Sequence, residues 1–250
     1  MTTNAALAAA ATLVALAFAL STFDRWQRRR RPHELAWSIS LALFVVGGTA
    51  LWWAQAHGWG ISTFRIFFLA GAVLNVPWLA LGTVYLLAGS VVGDRVRTCL
   101  VGLSGVAIGV VLSAPTRAAV AGPDLPQGSQ VFGVAPRVFA AVGSGGAALV
   151  IIGGALWSAW RVLAGRPARL RADAGFHLAR PRLLALGNVL IALGTLVLSA
   201  SGTMAGRLGQ NRAFAATLLV GIVVLFGGFV VASSGAGRHM RVAELHERAA

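Results

Sequence analysis

Residues 4–23 read NAALAAAATLVALAFALSTF, and residues 24–31 follow as DRWQRRRR. The first stretch carries no charged side chain over about the 20 residues that a helix needs to cross hydrocarbon. A cleaved secretion signal begins with basic charge before its apolar run, whereas here no basic residue precedes Arg25. Arg25, Arg28, Arg29, Arg30 and Arg31 come afterwards instead. Arginine following a span is retained on the cytoplasmic side. The stretch therefore reads as a retained first span with the N-terminus outside.

Working outward, six further apolar runs lie near 35–56, 64–88, 97–115, 137–162, 183–204 and 213–234. They are continuous rather than alternating, and an open sheet cannot satisfy its backbone in lipid, so helices are expected rather than strands. The arginines also alternate. Sixteen fall in the segments expected inside (24–34, 89–97, 161–182 and after 235), and five fall outside, at Arg65, Arg117, Arg137, Arg207 and Arg212. This bias recurs at every inner segment. The expected fold class is an all-α membrane protein, a bundle of seven transmembrane helices with its C-terminus cytoplasmic. It forms a single domain over 1–234, followed by a short basic tail, 235–250. Pro32, Pro136 and Pro181 mark helix starts, where a missing N–H costs little. The stretch 118–135 is the longest outer loop.

Composition agrees and excludes several function classes. The chain is 57% hydrophobic and 11% charged, with a mean hydropathy of +0.77, against roughly 25% charged residues in a soluble domain. A net charge of +14 would suggest nucleic acid in a soluble protein. Set between apolar spans, the same charges are expected to meet anionic lipid headgroups, most of all at the inner loop with Arg161, Arg166, Arg169, Arg171, Arg180 and Arg182. No nucleic-acid partner is expected; an acidic cytoplasmic or membrane partner protein stays open for that loop. Every basic residue apart from the five His is Arg, so no retinal Schiff base or catalytic lysine exists. A single cysteine, Cys99, excludes an intramolecular disulfide and a multi-cysteine metal centre. No cofactor and no metal site is expected.

The least generic stretch runs from Glu34 to Leu87. It contains Glu34-Leu35-Ala36-Trp37, Ala50-Leu51-Trp52-Trp53, Gly58-Trp59, Phe64-Arg65, Gly71-Ala72-Val73-Leu74-Asn75-Val76-Pro77-Trp78 and Tyr85-Leu86-Leu87. These segments resemble uncharacterised seven-span membrane proteins of actinobacteria. More faintly, the third run is similar to its counterpart in the seven-helix sensor modules that precede some histidine kinases. The resemblance implies a seven-helix fold in a bacterial inner membrane and brings no catalytic motif with it.

Asn75 and Pro77 sit in the middle of the third run. Pro77 lacks a backbone donor and releases the carbonyl of Val73. Asn75 either ties neighbouring helices together or belongs to a ligand or ion site where this helix opens. Asn188 in the sixth run invites the same pair of readings. At the outer end of the second run, Trp52, Trp53, Gln55, His57 and Trp59 gather close to Arg65. They form either an interfacial aromatic belt or an outward vestibule, where Arg65 and Arg137 with the other outer arginines would attract an anion. None of the seven acids falls inside the expected spans, and all five His fall in loops or at helix ends. Proton-coupled carriers usually need a buried carboxylate or His, and no catalytic motif is present. The expected function is therefore non-enzymatic: a receptor-like, scaffold or accessory subunit that binds a lipid, small ligand or partner protein. The alternative is a small transporter or channel with a polar site around Asn75, Pro77 and Asn188.

Overall fold

The computed structural model describes residues 3–122, 124–164, 181–208 and 211–235. Its long helices are α1 (Thr3–Arg29), α2 (Pro32–His57), α3 (Ile61–Phe67), a π-helical segment (Phe68–Leu74), α4 (Asn75–Ser113), α6 (Val134–Leu163), α7 (Pro181–Leu208) and α8 (Asn211–Gly235). A single turn, α5 (Gly128–Val131), lies in the loop before α6. Among the described residues there is no strand, only an isolated bridge between Thr116 and Phe132. Each long helix runs past the apolar stretch that announces it. The inner loop beyond Ala164 with Arg166, Arg169, Arg171 and Arg180, the side chains of Arg207 and Arg212, and the tail after Gly235 lie outside the described residues.

Five helices are long and apolar enough to cross a membrane: 3–29, 32–57, 61–113, 134–161 and 213–231, with a shorter apolar stretch at 185–200. They point to a membrane-embedded, multi-pass protein. The third of them, 53 residues long, is a helical hairpin. Gly89 has φ 83° and ψ 177°, a conformation open to glycine and strained for other residues. The chain doubles back there, so that Tyr85 Oη donates to Asp94 Oδ1 (2.8 Å) and Trp78 Nε1 to Ser104 Oγ (3.3 Å). The segment 89–97, expected as a loop, is therefore helical from residue 90 onward. One glycine with the right backbone angles makes the whole turn, which hydropathy alone does not signal.

Six segments close into a ring: α1 packs on α2, α2 on the first leg of α4, that leg on α6, α6 on α7, α7 on α8, and α8 back on α1. The second leg of α4, 90–113, lies outside the ring, and most of its side chains are exposed. Val91, Val101, Leu103, Val106 and Leu112 are each at least half exposed, as expected of side chains that meet lipid rather than water. The buried face of α1 is an alanine stripe (Ala5, Ala8, Ala11, Ala15, Ala19), which brings α1 close to its neighbours as small residues do between membrane helices. Gly47 of α2 meets the backbone of Gly71 in the π segment just as closely, its hypothetical Cβ lying 3.1 Å from Gly71 N.

Candidate functional site, an apolar cavity inside the helix ring

The ring is hollow toward the end that carries the loop 114–133. A cavity of about 590 Å³ lies there, walled by α2 (Phe44, Gly47, Gly48), α3 and the π segment (Phe64, Phe67, Phe68, Gly71), α4 (Asn75, Val76, Leu79), α6, α7 and α8. Its size is within the range of small-molecule sites, about 300–1,000 Å³. Among the described residues most of the lining is apolar and none of it is charged.

The π segment follows from Pro77. A proline ring inside a helix collides with the carbonyl four residues back and offers it no N–H, so the chain widens before it. Asn75 N–H accordingly bonds to Ala70 O, five residues back. The released carbonyl of Val73 and the Pro77 ring face Gly143 of α6, whose hypothetical Cβ would lie 3.6 and 3.7 Å from them. Such one-turn widenings inside α-helices are frequent at functional sites. Here the widening brings Phe68, Gly71 and Asn75 to the cavity wall.

Asn75 is 8% exposed. Ser40 Oγ of α2 donates to its backbone carbonyl at 2.8 Å and lies 3.1 Å from its Oδ1. Among the described residues the side chain makes no other hydrogen bond, so the two N–H donors of its amide are unspent. Two other lining hydroxyls are committed to their own helices: Ser144 Oγ donates to Ala140 O and Thr195 Oγ1 to Ile191 O. These oxygens keep acceptor capacity but have no donor to give.

The loop seals the end of the ring. Phe132, fully buried, stacks on Phe64 at 5.5 Å between centroids and leans on Phe68 at 5.0 Å. Arg117 N–H donates to Val131 O and Trp59 N–H to Gly122 O. With the loop so pinned, Leu125, Pro126, Gln127 and Gly128 form the end wall of the cavity.

The other singled-out residues are not drawn into this site. Asn188 Nδ2 donates to Ser158 Oγ of α6 at 2.8 Å, and Asn188 lines no part of the cavity. Pro77 shapes the wall through the backbone. Arg65 caps the second leg of the hairpin, donating to Leu112 O (2.7 Å) and Ala114 O (2.6 Å), a favourable place for a cation at a helix C-terminus. Arg137 and Trp53 are exposed, and Trp53 stacks on His57 at 4.1 Å. Trp52 is half-buried with Nε1 unpartnered.

One acid lies deeper than its place before the second run suggests. α2 starts at Pro32, so Glu34 sits in the first turn, 5% exposed, with Oε2 unpartnered and Oε1 4.0 Å from His33 Nε2. The helix N-terminus is an electrostatically favourable place for that carboxylate. Among the described residues, no group of three or more His, Cys, Asp or Glu converges as metal ligands would. The cavity itself was not read from the sequence. A faint signal existed in Phe64, Phe67 and Phe68 beside the proline break, and in small residues at four-residue spacing on α6.

Comparison with protein-family models, with curated proteins and with solved structures finds no match to this chain. The class of protein therefore rests on the helices and the cavity alone.

Proposed function

We propose that this chain is a non-enzymatic protein of a bacterial inner membrane that crosses the bilayer seven times, N-terminus outside and C-terminus cytoplasmic. It acts as a receptor-like or accessory subunit whose ring holds a small ligand. The hairpin at Gly89 supports seven crossings, since it divides one 53-residue apolar helix into two legs. The arginine bias supports the orientation, and arginine-rich inner segments are placed to meet anionic headgroups or an acidic partner protein. Likeness to actinobacterial seven-span proteins, and to sensor modules of histidine kinases, fits a sensing or accessory role.

The observation that carries this reading is the cavity of about 590 Å³, with no charged group on its walls among the described residues. General acid–base and nucleophilic chemistry need titratable or activated groups near the substrate, and among the described residues the polar side chains of the lining are amides and hydroxyls. A carrier using Asn75 together with Asn188 would need both on one path; Asn188 is instead spent on Ser158.

Two measurements test the proposal. Native mass spectrometry of chain purified at its natural level should find a bound small molecule or a stoichiometric partner; chain that stays soluble without detergent overturns the reading. Cysteine placed at Arg169, in a Cys99→Ser background, should react only from the cytoplasmic face. Labelling from outside overturns the orientation.

A further inference from the structure

The cavity is not enclosed on all sides, and its open side is specific. Among its lining residues, those that are exposed all belong to two helices: Ala141, Gly145 and Leu149 on α6, Leu196 and Ser199 on α7. Leu149 is 73% exposed and Leu196 54%. The lining residues of α2, α3, the π segment, α4, the loop and α8 are buried or half-buried. Residues 141, 145 and 149 are four apart and so share one face of α6. A Cβ built on Gly145 would meet nothing within 4 Å. α6 and α7, joined at Asn188 and Ser158, thus leave the cavity open between residues 141–149 and 196–199, while Leu125–Gly128 shut the end of the ring.

The surface flanking the gap is apolar. Val138, Val142 and Val150 on α6 and Val189 and Leu193 on α7 are exposed. In a spanning bundle that surface faces hydrocarbon, so what passes the gap comes from the bilayer and not from water.

We propose that the cavity takes an uncharged, chain-like lipid bearing one hydroxyl or carbonyl oxygen, drawn sideways from the bilayer through the gap between α6 and α7. This rests on the reading that the chain spans a membrane and holds a ligand in its ring. The ligand is uncharged because, among the described residues, no lining group would pair a charge, and an unpaired ion in an apolar site is strongly disfavoured. Its chain lies against Phe44, Phe64, Phe67, Phe68 and Phe214. Its oxygen accepts from the unspent amide N–H groups of Asn75, and a hydroxyl head also donates to Ser144 or Thr195, whose oxygens are acceptors only. At about 30 Å³ for each non-hydrogen atom, the volume holds on the order of twenty such atoms. Prenols and straight-chain alcohols, aldehydes and ketones of this size share this chemistry.

The test uses the full chain in lipid nanodiscs with two photoreactive probes of the same chain, a diazirine analogue of farnesol and one of farnesyl phosphate. Adducts are mapped by peptide mass spectrometry. The farnesol probe should label residues 64–79 and 141–152, roughly tenfold or more above the phosphate probe. Gly71→Leu, which fills the cavity, should abolish this labelling. Gly145→Phe, or Ala141→Phe should the first fail to fold, should slow it roughly tenfold or more by blocking the gap. Competition by unlabelled farnesol against hexadecanol, both within the cavity's size, then separates prenyl from straight-chain sources. Equal labelling by the phosphate probe overturns the uncharged class and leaves the cavity reading standing. Labelling of both blocked variants at the wild-type rate overturns the side passage. Absence of any adduct within the ring overturns this proposal together with the reading beneath it.

Discussion

The two ends of the ring use the same residue types to opposite effect. At the Gly89 end, aromatic rings are seated on glycines. A Cβ on Gly82 would fall on the Trp37 indole, and one on Gly93 on the Tyr85 ring. Trp37, 8% exposed, also meets Phe229 edge-on at 4.5 Å. Beside it Ser38 Oγ donates to Thr22 Oγ1 at 3.0 Å. At the other end the aromatics join ring to ring into a wall, Phe64 meeting Phe68 and Phe132, and Gly71 and Gly145 face space, with nothing within 4 Å of a built Cβ. Glycine admits a ring at one end and leaves a room at the other. A hollow end lacks the dispersion contacts that filled space would supply, so the solid end and the loop must hold the helices in place.

The sharpest way to break this contrast is to remove the seal. Phe132→Ala deletes a fully buried ring that rests on Phe64 and Phe68. Large-to-small changes of this kind cost about 3–5 kcal/mol. Thermal unfolding in detergent should fall accordingly, and residues 125–128 should become accessible to protease. An unchanged transition means that the loop does not close the ring.

Gly82→Leu against Gly71→Leu tests the glycines themselves. Overpacking a filled site costs about 1–3 kcal/mol, so the Gly82 variant should lose that much stability. The Gly71 variant should unfold close to wild type, because its side chain enters existing space. Equal losses would make the two ends alike. A smaller effect is expected from Arg65→Ala, which strips the cap from the second hairpin leg. A cation bonded to helix C-terminal carbonyls contributes on the order of 1–2 kcal/mol. Arg137→Ala, exposed, should change nothing measurable.

How much of this could be read from residues alone follows from what each signal reports. The helices were legible because hydropathy averages over a whole span, and in α1 alone the run 4–23 reports what solvent the segment prefers. The break at Pro77 was legible because a proline acts on its own backbone. Its form as a π segment was not, since widening also requires Gly143 on α6 to accept the displaced carbonyl of Val73. The reversal was legible in the gap between the runs 64–88 and 97–115, but not that Gly89 alone makes it, with helix resuming at once. Sequence places the outer arginines at similar depth and leaves an interfacial belt and a common mouth both open. Structure gives Arg65 a private task at Leu112 and Ala114, which depends on a partner 47 residues away. The cavity was illegible for a related reason: an empty volume belongs to seven helical segments and a loop at once and to none of their sequences.

Asn75 and Asn188 give the finest test, because from sequence they are the same object, one amide in the middle of an apolar helix. Asn188 has spent its amide on Ser158 of the adjacent α6. Hydrogen bonds of this kind between membrane helices average about 0.6 kcal/mol, so Asn188→Ala should lower stability by about that amount and leave farnesol-probe labelling unchanged. Asn75 accepts from Ser40 and keeps its donors for the cavity. Asn75→Ala should cost a similar small stability and, in addition, weaken labelling roughly 2- to 10-fold, the value of one hydrogen bond to a neutral acceptor. The sign of the comparison matters more than its size. Were Asn188→Ala to weaken labelling as much as Asn75→Ala, both amides would act through helix packing, and the head of the ligand would have to be sought elsewhere on the wall.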